Sequence, residues 1–507
     1  MRCKQIFLSV LGLSCAVVEL SASQKPNVLI FYVDDMGIGD TRVYNPAAPV
    51  EMPNLERLAE QGMTFHDAHS QAALCAPSRY SMLSGNYPWR GRSAGGSWHF
   101  NGGSQFTEGQ KSIADVLKGQ GYRSAMFGKV HLGALVPPKD GTTFDKASPV
   151  TSKKKSFDWT KADFSKPLID GVYSLGFDYT YVSYGGIQDP PYAFFENDLI
   201  VGDLSDLVHY DGGKSQNDNG TSVIQRWMPG YGMADWKTNE FLPIITEKAI
   251  DFLDKHHAQN KKDGAEKPFY IHFCTDAVHV PHTPPNEFMG VKVAGTTGGT
   301  RHMDMLFAMD VALGKLTESI AQHGQLDNTL IIFASDNGGL PQKVSKNDYD
   351  SNEGLRGYKA QIYEGGHRVP FVIKWTNGKV KANSTSDQLV GVHDLFATLA
   401  DLTGAQVGED QGLDSMSFLP VLLNDNSTTL REDMLFQGAG PKERAIRVGE
   451  WKLCLDKESK PNQLFNLKQD PKEEDDLINN PEHEKRVQQM HELFVEQFAA
   501  PRSTPAF

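Results

Sequence analysis

From residue 27 to about residue 400, short apolar runs rich in β-branched and aromatic residues alternate with amphipathic stretches, and this alternation constrains the chain more than any other feature. The clearest runs are Asn27–Val33, Ser124–Phe127, Phe269–Cys274, Thr329–Ser335 and Val369–Trp375. Strands that are apolar along their whole length are buried on both faces, and the segments between them must supply the covering helices. The pattern predicts an α/β fold built on a mostly parallel sheet. Four helical stretches stand out. Pro53 with Leu55, Leu58 and Ala59 opens one that Gly62 can end, and Ile113, Val116 and Leu117 mark a second. Phe241–His256 and Met303–His323 are longer.

Beyond residue 425 the texture changes. Arg444–Val448, Trp451–Leu455 and Gln463–Asn466 read as short antiparallel strands, followed by an acidic turn at 470–476 and a closing helix over His483–Phe498. The expected organisation is therefore a large α/β domain over 24–424 and a smaller C-terminal α+β domain over 425–507. Residues 141–233 are loop-rich, as substrate-binding insertions on such scaffolds often are.

Residues 1–23 stand apart. Arg2 and Lys4 precede an apolar stretch from Ile6 to Val18 and the small residues Ser21-Ala22-Ser23, the layout of a cleaved signal peptide. The expected location is periplasmic or secreted. The remaining chain has no apolar run long enough to span a membrane, and mean hydropathy is −0.42. A formal charge of −13 argues against a nucleic-acid partner. Removal of the leader leaves Cys75, Cys274 and Cys454, too few and too scattered for a disulfide framework. Cys274 and Cys454 end or sit within apolar runs, as buried strand residues do. Cys75 lies in a polar segment bearing Pro77 and Arg79, where core packing does not account for it.

Four of the apolar runs are each followed within a few residues by an unusual polar set: Asp34-Asp35, then Lys129 with His131, then Asp276 with His279 and His282, then Asp336-Asn337. Ligands of open α/β sheets bind beyond the carboxyl ends of the strands, so these sets should meet on one rim. Alone, each acidic pair is as well explained by a turn or helix cap. Together, Asp34, Asp35, Asp336 and Asn337 offer hard oxygen ligands suited to calcium or magnesium. Arg79, Lys129, His131, His279 and Lys359 add the cationic and imidazole groups that a tetrahedral oxyanion needs.

Cys75-Ala76-Pro77-Ser78-Arg79 with Leu83-Ser84-Gly85 resembles the signature of the type I sulfatases. Gly128-Lys129-Val130-His131-Leu132-Gly133 resembles that family's second signature, with Val in place of the commoner Trp. Ala277–Pro281, Ser335–Gly339, Leu355-Arg356-Gly357-Tyr358-Lys359, Glu364–Pro370 and Gln463–Leu467 match in order. The resemblance implies an alkaline-phosphatase-like fold with a large mixed, mostly parallel sheet. It implies that Cys75 is converted to Cα-formylglycine (3-oxoalanine) by a formylglycine-generating or anaerobic sulfatase-maturing enzyme. One Ca2+ would be held by Asp34, Asp35, Asp336, Asn337 and the modified residue 75. Arg79 and Lys129 would orient the aldehyde hydrate. His131 would be the base that breaks down the sulfated intermediate, His279 the acid assisting the leaving alcohol, and Lys359 the sulfate-binding cation sharing that work.

The implied reaction is hydrolysis of a sulfate ester on a sulfated carbohydrate. Rivals are a phosphate or phosphonate monoester hydrolase of the same superfamily and a non-catalytic binder of sulfated glycans. Substrate-binding candidates are Lys129, His279, Lys359, Arg90, Trp98 and His99, an aromatic beside cations being suited to a sulfated sugar. Packing in the core explains Trp98 equally well. The expected substrate is an algal polysaccharide such as ulvan, carrageenan or fucan, with host glycosaminoglycans as the alternative.

Overall fold

A computed structural model of the chain describes residues 25–93, 96, 98, 100–141, 159–210, 230–423 and 430–505. The proposed leader and His99 lie outside the described residues. Ten strands form one sheet: β1 (Asn27–Val33), β2 (Met63–Phe65), β3 (Arg123–Lys129), β4 (Tyr179–Ser183), β5 (Phe195–Glu196), β6 (Leu199–Ile200), β7 (Phe269–Cys274), β8 (Thr329–Ser335), β9 (Phe371–Lys374) and β10 (Ser384–Ser386). Their spatial order is β10-β2-β9-β8-β1-β7-β3-β4-β5-β6. The central five, β8-β1-β7-β3-β4, are mutually parallel. β9 runs antiparallel to β8, so the Val369–Trp375 run is a strand of reversed direction and of only four residues.

Central strands bury both faces, which is why their sequences lack a polar alternation. In β1, Val28, Ile30 and Tyr32 face one core, and Leu29, Phe31 and Val33 the other. The first core is closed by α2 (Cys75–Ser84), α3 (Ile113–Gly119) and α6 (Leu395–Thr403). The second is closed by α1 (Pro53–Glu60), α4 (Phe241–Asp263) and α5 (Arg301–Gln322). Local capping matches the sequence: Ser112 and Asp115 form a capping box at α3, and Gly85 ends α2 at φ +69°.

Four further strands, β11 (Asp433–Gln437), β12 (Arg444–Val448), β13 (Trp451–Leu455) and β14 (Pro461–Asn466), form an antiparallel meander. One face packs on α7 (Glu484–Ala499) through Leu435, Ile446, Leu453, Leu464, Met490 and Phe494. The other carries Met434, Phe436, Cys454 and Phe465 against Ile362 and Tyr363. Two expectations need correction. The stretch 141–233 contributes β4, β5 and β6 to the main sheet as well as loops, and β11 has no counterpart in the pattern read from the sequence. The meander is joined to the segment ahead of α2 by backbone hydrogen bonds. Gln437 receives the Ala73 amide at 2.8 Å and donates to Gln71 at 3.0 Å, directly before α2.

Candidate active site

Because β8, β1, β7 and β3 are parallel neighbours, their carboxyl ends deliver Asp336-Asn337, Asp34-Asp35, Asp276 with His279, and Lys129 with His131 to one rim, as expected. The ladder continues a little past the strands: Asp34 and Ala277 share a backbone hydrogen bond of 2.9 Å, and Asp336 donates to Val33 at 3.0 Å. Asp35 and His131 both adopt left-handed backbone, φ +65° and +56°. Such conformations cost energy and persist only where surrounding contacts over-determine them.

Gly128 allows Lys129 to reach the rim. Its φ is +88°, and a Cβ there would lie 1.8 Å from the Cys274 carbonyl oxygen on β7. Only glycine permits the two strands to approach so closely.

Cys75 is the first residue of α2, a helix whose ten residues are all buried, and Leu74 at its cap offers no side-chain acceptor. The free amides of that first turn and the positive helix end therefore face the site. Cys75 Sγ lies 3.3 Å from His131 Nδ1. The Cys75, Asp34 and Asp336 ligand atoms lie within 4.8 Å of one another, as do those of Asp34, Asp35 and His279. Ser78 holds the helix in place by a 2.9 Å hydroxyl contact with Tyr32 on β1.

Three carboxylates and three cations share this volume. Arg79 Nη2 donates to Asp336 at 2.6 Å and stands 3.7 Å from Asp34. Lys129 Nζ meets Asp34 at 2.6 Å, and Lys359 Nζ meets both Asp35 oxygens at 2.6 and 2.7 Å. Buried charge survives only when paired in this way. Burial opposes ionisation of Asp34, but the Lys129 and Arg79 charges overcome it and hold that carboxyl far below its ordinary range. Asp336 goes the other way, pushed well up by burial and then by the Asp34 charge. Burial, followed by the Lys129 charge, lowers His131 to about 3, and burial with Lys359 lowers His279 to about 3. Both imidazoles are neutral at neutral pH. His279 Nδ1 faces the Val280 carbonyl, so its Nε2 presents a lone pair toward Asp35, 3.6 Å away.

Asp34 Oδ1 and Asn337 Oδ1 are buried oxygens without a hydrogen-bond partner among the described residues. Such orphans need a reason. Together with Asp35 and Asp336 they form an all-oxygen donor set that fits a hard divalent cation such as calcium.

Several expectations end differently. Arg90 is not at the site: its guanidinium grips Asp414 at 2.6 and 2.8 Å and donates to the Ala500 and Pro501 carbonyls, fastening the C-terminal tail. Trp98 is 3% exposed and packs edge-on to Tyr80, so its ring is not presented to a sugar. Cys274 and Cys454 are buried strand thiols as expected, each pushed up to about 12 by burial. Asp189, absent from the candidates drawn from the sequence, places a carboxylate oxygen 3.9 Å from His131 Nε2. Only its Gly- and Pro-rich segment, Gly185–Pro191, marked it as a turn.

The sulfatase family model matches residues 26–405, about three quarters of the chain, and a model described as the C-terminal part of N-sulphoglucosamine sulphohydrolase matches 357–499. The chain is 32% identical to an N-acetylgalactosamine-6-O-sulfatase of Bacteroides thetaiotaomicron, over 93% of both proteins. It is 27% identical to the N-acetylgalactosamine-6-sulfatase of Rattus norvegicus, over 90% of this chain and 76% of that protein. A Bacteroides thetaiotaomicron protein solved in a study of glycosaminoglycan metabolism superposes with a TM-score of 0.75 at 29% identity, covering 93% of this chain and 99% of its own. A protein solved with a neocarrahexaose shares the fold, with a TM-score of 0.68 at 22% identity over 96% and 95%. A family match of that length, laid over a site whose signature residues meet at one rim, leaves a single conclusion: the chain belongs to the sulfatase family.

Proposed function

We propose that this enzyme is an exported sulfatase that removes 6-O-sulfate from N-acetylgalactosamine-type residues of sulfated glycans, with residue 75 acting as formylglycine. The observation that carries the reading is the position of Cys75: first turn of α2, 3.3 Å from a neutral His131, beside the carboxylates of Asp34 and Asp336. A formylglycine at residue 75 would, as its hydrate, offer paired hydroxyls for attack on sulfur and for release of sulfate, and a calcium ion would supply positive charge against the sulfate oxygens.

The chain's own residues have separable tasks. Asp34, Asp35, Asp336 and Asn337 would hold the cation. Arg79 and Lys129 brace Asp336 and Asp34 and lie beside residue 75, where they orient its hydroxyls. His131 Nδ1 faces residue 75 at 3.3 Å and takes its proton. His279 Nε2 faces the position of the leaving alcohol. An anionic ester beside it offsets the Lys359 charge that, after burial, most depresses its basicity, so it can carry the proton the alcohol needs. Lys359 binds the sulfate oxygens.

The full-length relatives named for N-acetylgalactosamine 6-sulfates support an amino-sugar substrate over the algal polysaccharides first expected. Lys129, Lys359 and Asn337 stand where a two-metal phosphatase would need further ligands, which supports a singly charged sulfate ester over a phosphate. The signal-peptide layout of residues 1–23 supports export.

The test is Cys75→Ala in the full chain, which should abolish turnover and keep the fold. Mature wild type should show a loss of about 18 Da at residue 75, as an activated nucleophile requires. Defined 4-O- and 6-O-sulfated oligosaccharides and carrageenan fragments should separate the substrate readings. Full activity with an unmodified thiol, or better turnover of phosphate monoesters, would refute the proposal.

A further inference from the structure

Lys359 sits on an irregular segment, residues 355–363, that belongs to neither a helix nor a strand. Its amides rest on three separate parts of the molecule. Lys359 N donates to Gly339 past β8, Ala360 N donates to Ala73 before α2, and Ala360 O receives the Ala439 amide past β11. A lysine has a flexible four-carbon stem, so the placement of its ammonium depends on the placement of its backbone.

Arg356, three residues earlier, shares the motif of Lys359 but takes no part in the site chemistry. Its Nη1 donates to the Glu473 carbonyl at 2.6 Å and its Nη2 to the Tyr363 hydroxyl at 3.1 Å. The guanidinium carbon lies 3.9 Å over the Tyr363 ring and 5.7 Å from the Phe465 ring of β14. Its own carbonyl accepts the Gly365 amide at 2.8 Å. Glu473 also fastens the far end of the segment, accepting the Glu364 amide at 2.7 Å. Lys452 of β13, fully buried, neutralises this node through Glu364 at 3.1 Å and Glu473 at 2.9 Å. Both ends of the Lys359 segment are thus tied to one residue, and that residue is tied to the C-terminal sheet.

We propose that Arg356 is a positioning residue: with Glu473 and Lys452 it staples the Lys359 loop to the C-terminal meander, so that the ammonium is held at Asp35 and at the sulfate oxygens. The inference rests on the sulfatase reading for the role of Lys359. A planar guanidinium can serve a carbonyl, a hydroxyl and a ring at once, and a lysine in its place cannot. The C-terminal meander therefore acts on the chemistry through this loop without touching substrate.

The test uses Arg356→Ala in the full-length mature enzyme, with Arg356→Lys as a milder companion should the alanine variant not fold. Hydrogen exchange at the Lys359 and Ala360 amides should quicken at least roughly tenfold, since their partners lose a fixed geometry. The kcat/KM for a sulfated oligosaccharide should fall on the order of tenfold to a hundredfold, chiefly through KM, and inorganic sulfate should inhibit correspondingly less. In a Lys359→Ala background the same change should cost less than about twofold, because coupled residues are not additive. Unchanged exchange at those two amides in a folded variant, or an equal loss in both backgrounds, overturns the staple. Quickened exchange in a protein that neither binds sulfate nor cleaves sulfate esters supports the staple and refutes the sulfatase reading.

Discussion

Gly128→Ala isolates the packing that aims Lys129 and His131. The new Cβ would meet the Cys274 carbonyl at 1.8 Å, and real Cβ contacts essentially never fall below 3.0 Å, so β3 must part from β7 by about 1.2 Å. Left-handed backbone at φ +88° adds about 1–2 kcal/mol against any L side chain. The displaced residues are Lys129, whose ammonium sits 2.6 Å from Asp34, and His131, 3.3 Å from Cys75. A 1 Å misplacement of reacting groups costs about a hundredfold in rate, equivalent to about 2.7 kcal/mol on the barrier. The expected result is a kcat/KM on a sulfated oligosaccharide about a hundredfold below wild type, in a protein with native circular dichroism. Gly119→Ala is the control, because a Cβ there meets nothing within 4 Å, and it should leave the rate unchanged. A folded Gly128→Ala enzyme within threefold of wild type would show that close strand contact does not set the position of Lys129 and His131.

Three other outcomes are expected. Chelating calcium should lower the thermal midpoint reversibly, and calcium at a hundredfold over its Kd should restore about 2.7 kcal/mol; Asn337→Ala should shrink this response, and a wild type indifferent to calcium would refute the oxygen site. Arg90→Ala should cost about 3 kcal/mol by breaking a buried pair while leaving KM for saccharides within twofold; a large rise in KM at unchanged stability would return Arg90 to the substrate. Burial and then Arg79 hold His272 at about 3, against 6.5 in an unfolded chain, so only the unfolded state takes up this proton as pH falls from 6.5. That linkage removes about 2 kcal/mol of stability by pH 5, and denaturant unfolding of His272→Gln at pH 7.5 and 5.0 should show a correspondingly smaller acid loss, an equal loss counting against it.

The candidate rim was legible because its signals are local. A strand with two buried faces is apolar throughout, and when four such strands are parallel, an Asp pair or Lys-x-His directly after each is hard to assign to turns and caps alone. Asp189 was not legible, because its partner His131 is 58 positions away in the chain and its neighbourhood carries only turn residues. β11 was missed because its pairing with residues 71–73 is decided by tertiary packing. Arg90 misled because an arginine beside aromatics looks alike whether it meets a sugar acid or Asp414. Sequence also could not tell Trp98 the core residue from Trp98 the platform, since both are a large ring next to polar residues.

The backbone bond between Ala73 and Gln437 has a consequence for biogenesis. Cys75 is 2% exposed, and the strand that seals the segment ahead of it is synthesised more than 350 residues later. Any enzyme that rewrites this side chain has its opportunity while the chain is nascent or in transit, before the carboxyl-terminal strands dock. Under the proposed conversion of Cys75, its maturation and completion of the fold would compete in time, and the late position of β11 in the chain would prolong the interval open to the modifying enzyme.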